Sequence, residues 1–293
     1  MAKVLVCGAT GRIGAPLLHL LRSNGHEVFG LTRHKGSADA LFAKGVTPVV
    51  GNIREAGALG AQLDGFDVVF LASADAPDQA QAEMSLIVRL GSCGSPYVVK
   101  LSAQSAGLQP PVSFGVAHKR AEDALVSSGL RCSIIRPTFF QQSLLLMADD
   151  VGKRGGIVAP MGNGRTAIID VRDVAAAAAV VLNDPAYAGK IYTLTGPEPV
   201  GLAQVATSLS RQLGRNIRYT SPPTLISRLL MPMLTGLPRW QTSLIIDLMV
   251  AIRNGAQETT TDSIRELTGQ FPRNVIAFLD EHIAAFKKSG ATR

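Results

Sequence analysis

Three glycines, Gly8, Gly11 and Gly14, with Arg12 between the last two, are the residues whose types and spacing specify chemistry most directly. Glycine puts no Cβ between the backbone and an approaching group. Gly11 therefore lets a pyrophosphate come close, Gly8 permits a tight turn, and Gly14 lets a following helix pack against the strand before it. The unpaired N–H groups at the start of that helix, at the positive end of its dipole, complete an anion site. Gly8, Thr10, Gly11, Arg12, Ile13 and Gly14 are expected to line a bound dinucleotide. Their spacing is GxxGxxG, not the GxGxxG of most NAD-linked dehydrogenases.

A second group of residues selects the dinucleotide. NAD-specific folds end the second strand in a carboxylate that holds the ribose 2′-OH. Here that strand, Glu27 to Thr32, runs into Arg33 and His34, so a cation stands where the carboxylate would be. Guanidinium forks match phosphate geometry, and Arg33 with Arg12 forms a clamp suited to a 2′-phosphate. The pattern predicts NADP(H), with Thr32 and Arg33 in the site. Asn52 and Ile53 follow the third apolar run, where a polar side chain can bond an adenine amino edge. Leu71, Ala72 and Ser73 end the fourth run and are expected to pass under the cofactor.

The elements that must hold these residues alternate regularly. Apolar runs at Val4–Cys7, Glu27–Thr32, Val46–Val50, Phe66–Ala72, Tyr97–Leu101 and Cys132–Ile135 read as strands, with amphipathic helical stretches between them. That alternation predicts an α/β fold: a Rossmann-like, doubly wound parallel sheet with a smaller, mostly helical C-terminal substrate lobe. Residues 1–150 are expected to form the NADP-binding domain, with segments near 167–195 returning to it. Residues 151–293 would make up most of the substrate lobe. Within that lobe the glycine-rich stretch from Asp149 to Arg165 reads as a loop or hairpin, either a substrate lid or a surface connection. Asp170 caps an alanine-rich helix, and a last helix runs from Arg273 to Phe286 with Lys287 and Lys288 at its end. The segment from Pro222 to Arg253 is strongly apolar. Core packing is the expected use of most of its side chains, with a pocket wall or the subunit interface of a homodimer as the alternatives.

With these pieces in place the chain resembles the atypical short-chain dehydrogenase/reductases of the NmrA-like group, which includes quinone reductases, a triphenylmethane dye reductase and redox-sensing regulators. The resemblance rests on Gly8-Ala-Thr-Gly-Arg-Ile-Gly14, Leu101-Ser102-Ala103, His118-x-x-x-Glu122, Ser128-Gly129-Leu130, Arg136-Pro137-Thr138, Thr261-Asp262 and Leu267-Thr268-Gly269 before Pro272. It covers essentially the whole chain. It implies that Pro137, Thr138 and Phe139 border the nicotinamide.

One departure bears on mechanism. The wider superfamily places Tyr-x-x-x-Lys on the helix after the fifth strand. Here the corresponding residues are Phe114-Gly-Val-Ala-His118, and the phenol is gone. Tyr97 and Lys100 are no substitute, because on a strand their spacing sends them to opposite faces. Reduction of a simple ketone leaves an alkoxide about as basic as hydroxide, whose parent water has a pKa of about 15.7, and such a reaction needs a positioned acid. Reduction of a quinone leaves a phenolate, whose acid has a pKa of about 10. The loss therefore points to quinones or similar electron-poor planar acceptors. His118 is the candidate proton donor, or a partner of the nicotinamide ribose. Ser102 is the candidate partner of the nicotinamide or of a substrate carbonyl. The other readings are a redox sensor that binds NADP(H) without turnover, and a reductase for one particular ketone or imine.

Composition narrows the class further. The chain has 293 residues, 46% of them hydrophobic, and a formal charge of +7, but its cations are dispersed without a basic, aromatic-interleaved run. Nucleic-acid binding is not expected. Cys7, Cys93 and Cys132 suit a reducing compartment, so a cytoplasmic protein is expected, and the histidines show no metal-ligand spacing. No signal peptide is read at the N-terminus, and no run reaches membrane-spanning length, so no membrane association is expected.

Overall fold

The computed structural model describes residues 1–109 and 112–287. In chain order the first half alternates strand and helix: β1 (Lys3–Val6), α1 (Gly14–Ser23), β2 (Glu27–Thr32), α2 (Lys35–Ala43), β3 (Thr47–Val50), α3 (Ala56–Leu59), β4 (Val68–Leu71), α4 (Gln79–Gly91), β5 (Tyr97–Leu101), α5 (Ser113–Ser127) and β6 (Cys132–Pro137). Then come α6 (Ala148–Arg154), β7 (Gly156–Val158), β8 (Arg165–Thr166), α7 (Val171–Asn183) and β9 (Ile191–Leu194). The chain ends with β10 (Val200–Gly201), α8 (Leu202–Leu213), β11 (Arg218–Thr220), α9 (Thr224–Thr235), α10 (Arg239–Arg253), α11 (Ser263–Thr268), α12 (Val275–Glu281) and α13 (Ile283–Phe286).

Seven strands form one sheet in the order β3-β2-β1-β4-β5-β6-β9. Every pair from β3 through to β6 is parallel. The order reverses between β1 and β4, and in open parallel sheets ligands bind outside the carboxyl ends of the strands at such a switch point. The strands are short and almost wholly apolar, as a sheet covered on both faces requires. Val4, Leu5, Val6, Val69, Phe70 and Leu71 are buried, and Leu17, Leu18 and Leu21 on α1 pack inward as the periodicity predicts.

The chain divides into two compact units. The first takes residues 1–107, 115–136 and 174–193; the second takes residues 108–114, 137–173 and 194–293. The first carries a core that includes Leu5, Leu31, Leu63, Phe66, Val69, Leu86 and Val98. The second has its own core, which includes Leu144, Val151, Ile157, Val205, Leu209, Ile252, Phe278 and Leu279.

Three expectations for the second unit are corrected. The stretch 149–165 is neither a loop nor a hairpin. It holds the end of α6, whose Gly155 takes the left-handed capping conformation, and then β7 and β8, which do not pair with each other. β7 pairs with β11 and β8 with β10, so the segment is tied down by partners far along the chain and is no free lid. The apolar segment 222–253 forms α9 and α10, and they differ in use. On α10 the residues Ile246, Leu248, Met249 and Ile252 are core. On α9 the only buried residue is Ser227, while Leu225, Leu229 and Met233 are 80%, 68% and 78% exposed. Core packing is thus excluded for the aliphatic stripe of α9. The last helix is broken in two at His282, and Asn274 caps its first part by accepting from the Ala277 N–H at 2.8 Å. Lys288, expected at its end, lies outside the described residues. Among the described residues no helix is long and apolar enough to cross a membrane.

The glycine turn predicts a stability effect. A Cβ on Gly14 would collide with the Gly8 carbonyl, standing 2.9 Å from its carbon and 3.0 Å from the Ala9 Cα. These are backbone atoms and cannot rotate aside. Gly14→Ala is expected to cost about 1–3 kcal/mol, the usual range for overpacking, and urea unfolding would measure it. An unchanged midpoint would show that the turn yields.

Candidate active site

The glycine turn follows β1 directly. Gly8 has φ +70°, a conformation other residues adopt only under strain, and its carbonyl accepts from the Gly11 N–H at 2.9 Å. Ala72, just past β4, lies against Gly8 from below: a Cβ there would be 3.3 Å from its carbonyl oxygen. The turn is therefore tight by necessity, closed underneath by the β4 edge and behind by Gly14. Thr10, Gly11 and Arg12 are left exposed on its outer side, while Ile13 is buried as an anchor. A groove lined by Thr10, Ser37 and Lys44 runs beside it.

The residues expected around the adenosine half divide by role. Arg33, His34 and Lys35 are exposed in sequence after β2, so three groups able to carry positive charge stand where a carboxylate would select NAD. Thr32 is buried, and its hydroxyl accepts from the His34 N–H at 3.4 Å, which shapes the loop. Asn52 accepts from the Arg54 N–H at 3.1 Å and caps the turn that begins at half-buried Ile53. Its carbonyl oxygen thus already serves the backbone.

Two networks that the motifs did not reveal stand at the carboxyl edge of β4 and β5. Ser73, two residues beyond β4, donates to Glu83 Oε1 at 2.6 Å. Glu83 lies on α4 and accepts from Lys100 Nζ at 2.5 Å, and both charged side chains are fully buried. Ser102, one residue beyond β5, donates to Glu122 Oε1 at 2.5 Å. Glu122 lies on α5 and takes a two-pronged contact from Arg136, Nε to Oε1 at 2.9 Å and Nη2 to Oε2 at 2.5 Å. The two networks share one plan: a serine at a strand end, a glutamate on the next helix, and a cation on the next strand. Buried carboxylates need such partners, since their desolvation is costly. A signal existed for the first network. Glu83 interrupts the stripe Ala80, Leu86, Ile87 and Leu90 on α4, and Lys100 interrupts an otherwise apolar strand.

His118 is buried on α5, four residues before Glu122. The carboxylate one turn along, Glu122, is held by Ser102 and Arg136. Burial, with a smaller push from the positive Lys100, lowers the His118 pKa to about 3. The acid expected at this position is therefore a neutral imidazole at physiological pH: it can give a hydrogen bond but holds no extra proton. The α5 backbone comes unusually close here, because a Cβ on Gly115 would collide with the Ser105 carbonyl. Burial also pushes the Cys7 thiol up to about 12, so that cysteine is an inert core residue. All three cysteines carry free thiols. Among the described residues no group of three or more His, Cys, Asp or Glu is placed to hold a metal ion.

Pro137, Thr138 and Phe139 belong to the second unit. There the Thr138 hydroxyl donates to the Ala167 carbonyl at 2.5 Å, and the Phe139 carbonyl accepts from Ile169 N–H at 2.9 Å. Phe140 makes an isolated bridge to Ile169.

A parallel sheet reversing between β1 and β4, with an exposed glycine turn at that point, defines a dinucleotide-binding domain of the Rossmann type. The chain belongs to the NmrA-like family, whose model matches residues 1–254. It is 30% identical to the NAD(P)H azoreductase of Xenophilus azovorans over 97% of this chain and 99% of that protein. The NADPH-dependent quinone oxidoreductase of Escherichia coli, solved with NADPH, superposes with a TM-score of 0.89 at 23% identity, covering 96% of this chain and 99% of that one. The triphenylmethane reductase of Citrobacter sp., solved with NADP(H), gives 0.85 at 18% identity, covering 95% and 99%.

Two predictions follow from the buried charges. Lys100→Met strands Glu83 without its cation and is expected to cost about 3–5 kcal/mol in urea unfolding. Adding Glu83→Gln should recover much of that loss, since a neutral amide still accepts from Ser73; additive losses would show that the pair is not coupled. For His118 the folded pKa, about 3, lies below its ordinary 6.5. The unfolded chain therefore binds a proton below about pH 6.5 that the folded one refuses. The stability this residue contributes is complete above that pH and falls by roughly 1.4 kcal/mol per pH unit as pH drops toward 3. His118→Gln should flatten the acid limb of stability against pH. Parallel curves for the two proteins would place the imidazole in solvent.

Proposed function

We infer that this chain, an NAD(P)H-dependent oxidoreductase, takes hydride from NADPH and passes it to a quinone or a similarly electron-poor planar acceptor. The observation that carries this reading is the neutral state of His118. With no phenol on α5, and with the hydroxyl protons of Ser73 and Ser102 directed at carboxylates, these groups offer no strong acid to a nascent alkoxide. A quinone-type acceptor needs none. Its reduced oxygen is a phenolate, and water can protonate it. The relatives' names support the same class, since they act on azo, quinone and dye acceptors.

The residues present fit the cofactor. The cradle at Gly8, Gly11 and Gly14 leaves backbone where a Cβ would stand, and the exposed Arg12 and Arg33 suit a 2′-phosphate. When bound there, NADPH supplies the hydride. In this reading the turn and Ile13 hold the pyrophosphate, while Thr32 shapes the loop that presents Arg33. Asn52 and Ile53 border the adenine. Leu71, Ala72 and Ser73 form the floor beneath the nicotinamide half. Neutral His118 steadies the ribose or a developing oxyanion by hydrogen bonding alone. The exposed aliphatic stripe of α9 offers the kind of apolar surface that a planar acceptor favours.

Steady-state oxidation of NADPH and NADH against quinones, azo dyes and simple ketones tests this. Turnover is expected with quinones or dyes, with NADPH preferred and simple ketones inert. Arg33→Ala should raise KM for NADPH by about tenfold or more, the loss of a charge-assisted bond, and leave NADH nearly unaffected. Tight NADPH binding without any turnover would move the assignment to a redox sensor.

A further inference from the structure

The paired networks at the strand ends fix the direction of two hydrogen bonds. A serine hydroxyl has one proton and two lone pairs. Ser102 Oγ sits 2.5 Å from Glu122 Oε1, and an ionised carboxylate only accepts, so the proton of Ser102 must point at Glu122. Arg136 makes the alternative costly. Its fork engages both carboxylate oxygens and holds Glu122 in one orientation, as an acceptor. The Arg136 guanidinium is in turn confined, because even a methyl group on Gly107 would press to 2.6 Å from Nη1. What Ser102 has left to offer is therefore acceptor capacity only. Ser73 repeats the arrangement one strand over, with its proton committed to Glu83 and Glu83 held by Lys100. The carboxyl edge of β4 and β5, next to the switch point, carries two hydroxyls that accept and do not donate.

We propose that Ser102 reads the carboxamide amino group of the nicotinamide as a hydrogen-bond acceptor, and that Glu122 and Arg136 are the positioning residues that lock it in that role. The inference rests on the NADPH reading given above. It also removes Ser102 from proton donation: a substrate carbonyl beside it would meet lone pairs facing lone pairs. The carboxamide is the one donor on the nicotinamide ring. Any ring lacking the N–H₂ group leaves the Ser102 acceptor unmatched, and a site built around a directed polar group discriminates strongly against a ligand that cannot meet it.

The test compares binding of NADPH with its 3-acetylpyridine analogue, in which a methyl ketone replaces the carboxamide. Binding of each is measured by titration on the full chain, alongside circular dichroism to confirm folding. The wild type is expected to prefer NADPH by about five- to tenfold, the worth of one hydrogen bond. Ser102→Ala should erase the preference by weakening NADPH alone, and Ser102→Thr, which keeps the hydroxyl, should restore part of it. In Glu122→Gln the amide can donate to Ser102 and free its proton, so the preference should shrink or reverse toward the ketone while Ser102 itself is intact. A wild-type preference that Ser102→Ala leaves unchanged would overturn the inference and leave the NADPH reading standing. Binding of neither ligand by the wild type would overturn both.

Discussion

Two carboxylates buried beside the carboxyl edge of a parallel sheet constrain this molecule more than any other feature. Glu83 is fully shielded from solvent and Glu122 nearly so. A carboxylate in such surroundings survives ionised only where a cation and hydrogen-bond donors meet it in the same small space. Lys100 and Arg136 meet that demand, and each comes from the strand next along the sheet. Strand register, helix position and side-chain direction are therefore tied together at β4, β5 and β6. Moving one strand by a single residue would send its cation to the opposite face and leave a bare charge in the core.

The chemistry of the edge follows from that arrangement. Each carboxylate draws in the proton of a strand-end serine, and the cation on β5 helps keep His118 neutral. The site is rich in positioned acceptors and poor in acids. Under the function proposed above, an enzyme so equipped suits hydride transfer to acceptors that need no help with the proton. The lost tyrosine and the electrostatics of the surrounding residues then agree: restoring a phenol alone would place an acid among groups arranged to do without one.

Much of this was legible in the chain. The strand Tyr97–Leu101 has the predicted bounds, as does Glu27–Thr32, because each combines a clear hydrophobic period with turn residues on either side. The basic end of β2 was equally plain, being a contiguous run. Legibility failed where glycine and hydrophobicity carry more than one meaning. The glycines between 149 and 165 suggested a loose connection, but Gly155 closes a helix, and Gly164 permits a close approach to the backbone of Arg253. On α9 a stripe of leucines resembled core, yet the helix turns Ser227 inward and its aliphatic side chains outward. Periodicity reports that a helix has an apolar face and not what lies opposite it.

The sequence by itself determined the dinucleotide turn, the βα order, the selection against a ribose carboxylate and the absence of the phenol. Each of these is written in residues adjacent along the chain, where local sterics and short-range hydrogen bonds decide. Only the tertiary structure decided which charges are paired, which way Ser102 and Ser73 point, and that His118 is neutral. Those outcomes depend on groups 10 to 20 residues apart or more, brought together by neighbouring strands and helices. The free energy of a charge or proton depends on its surroundings in space, and no spacing along the chain records how completely water is excluded there.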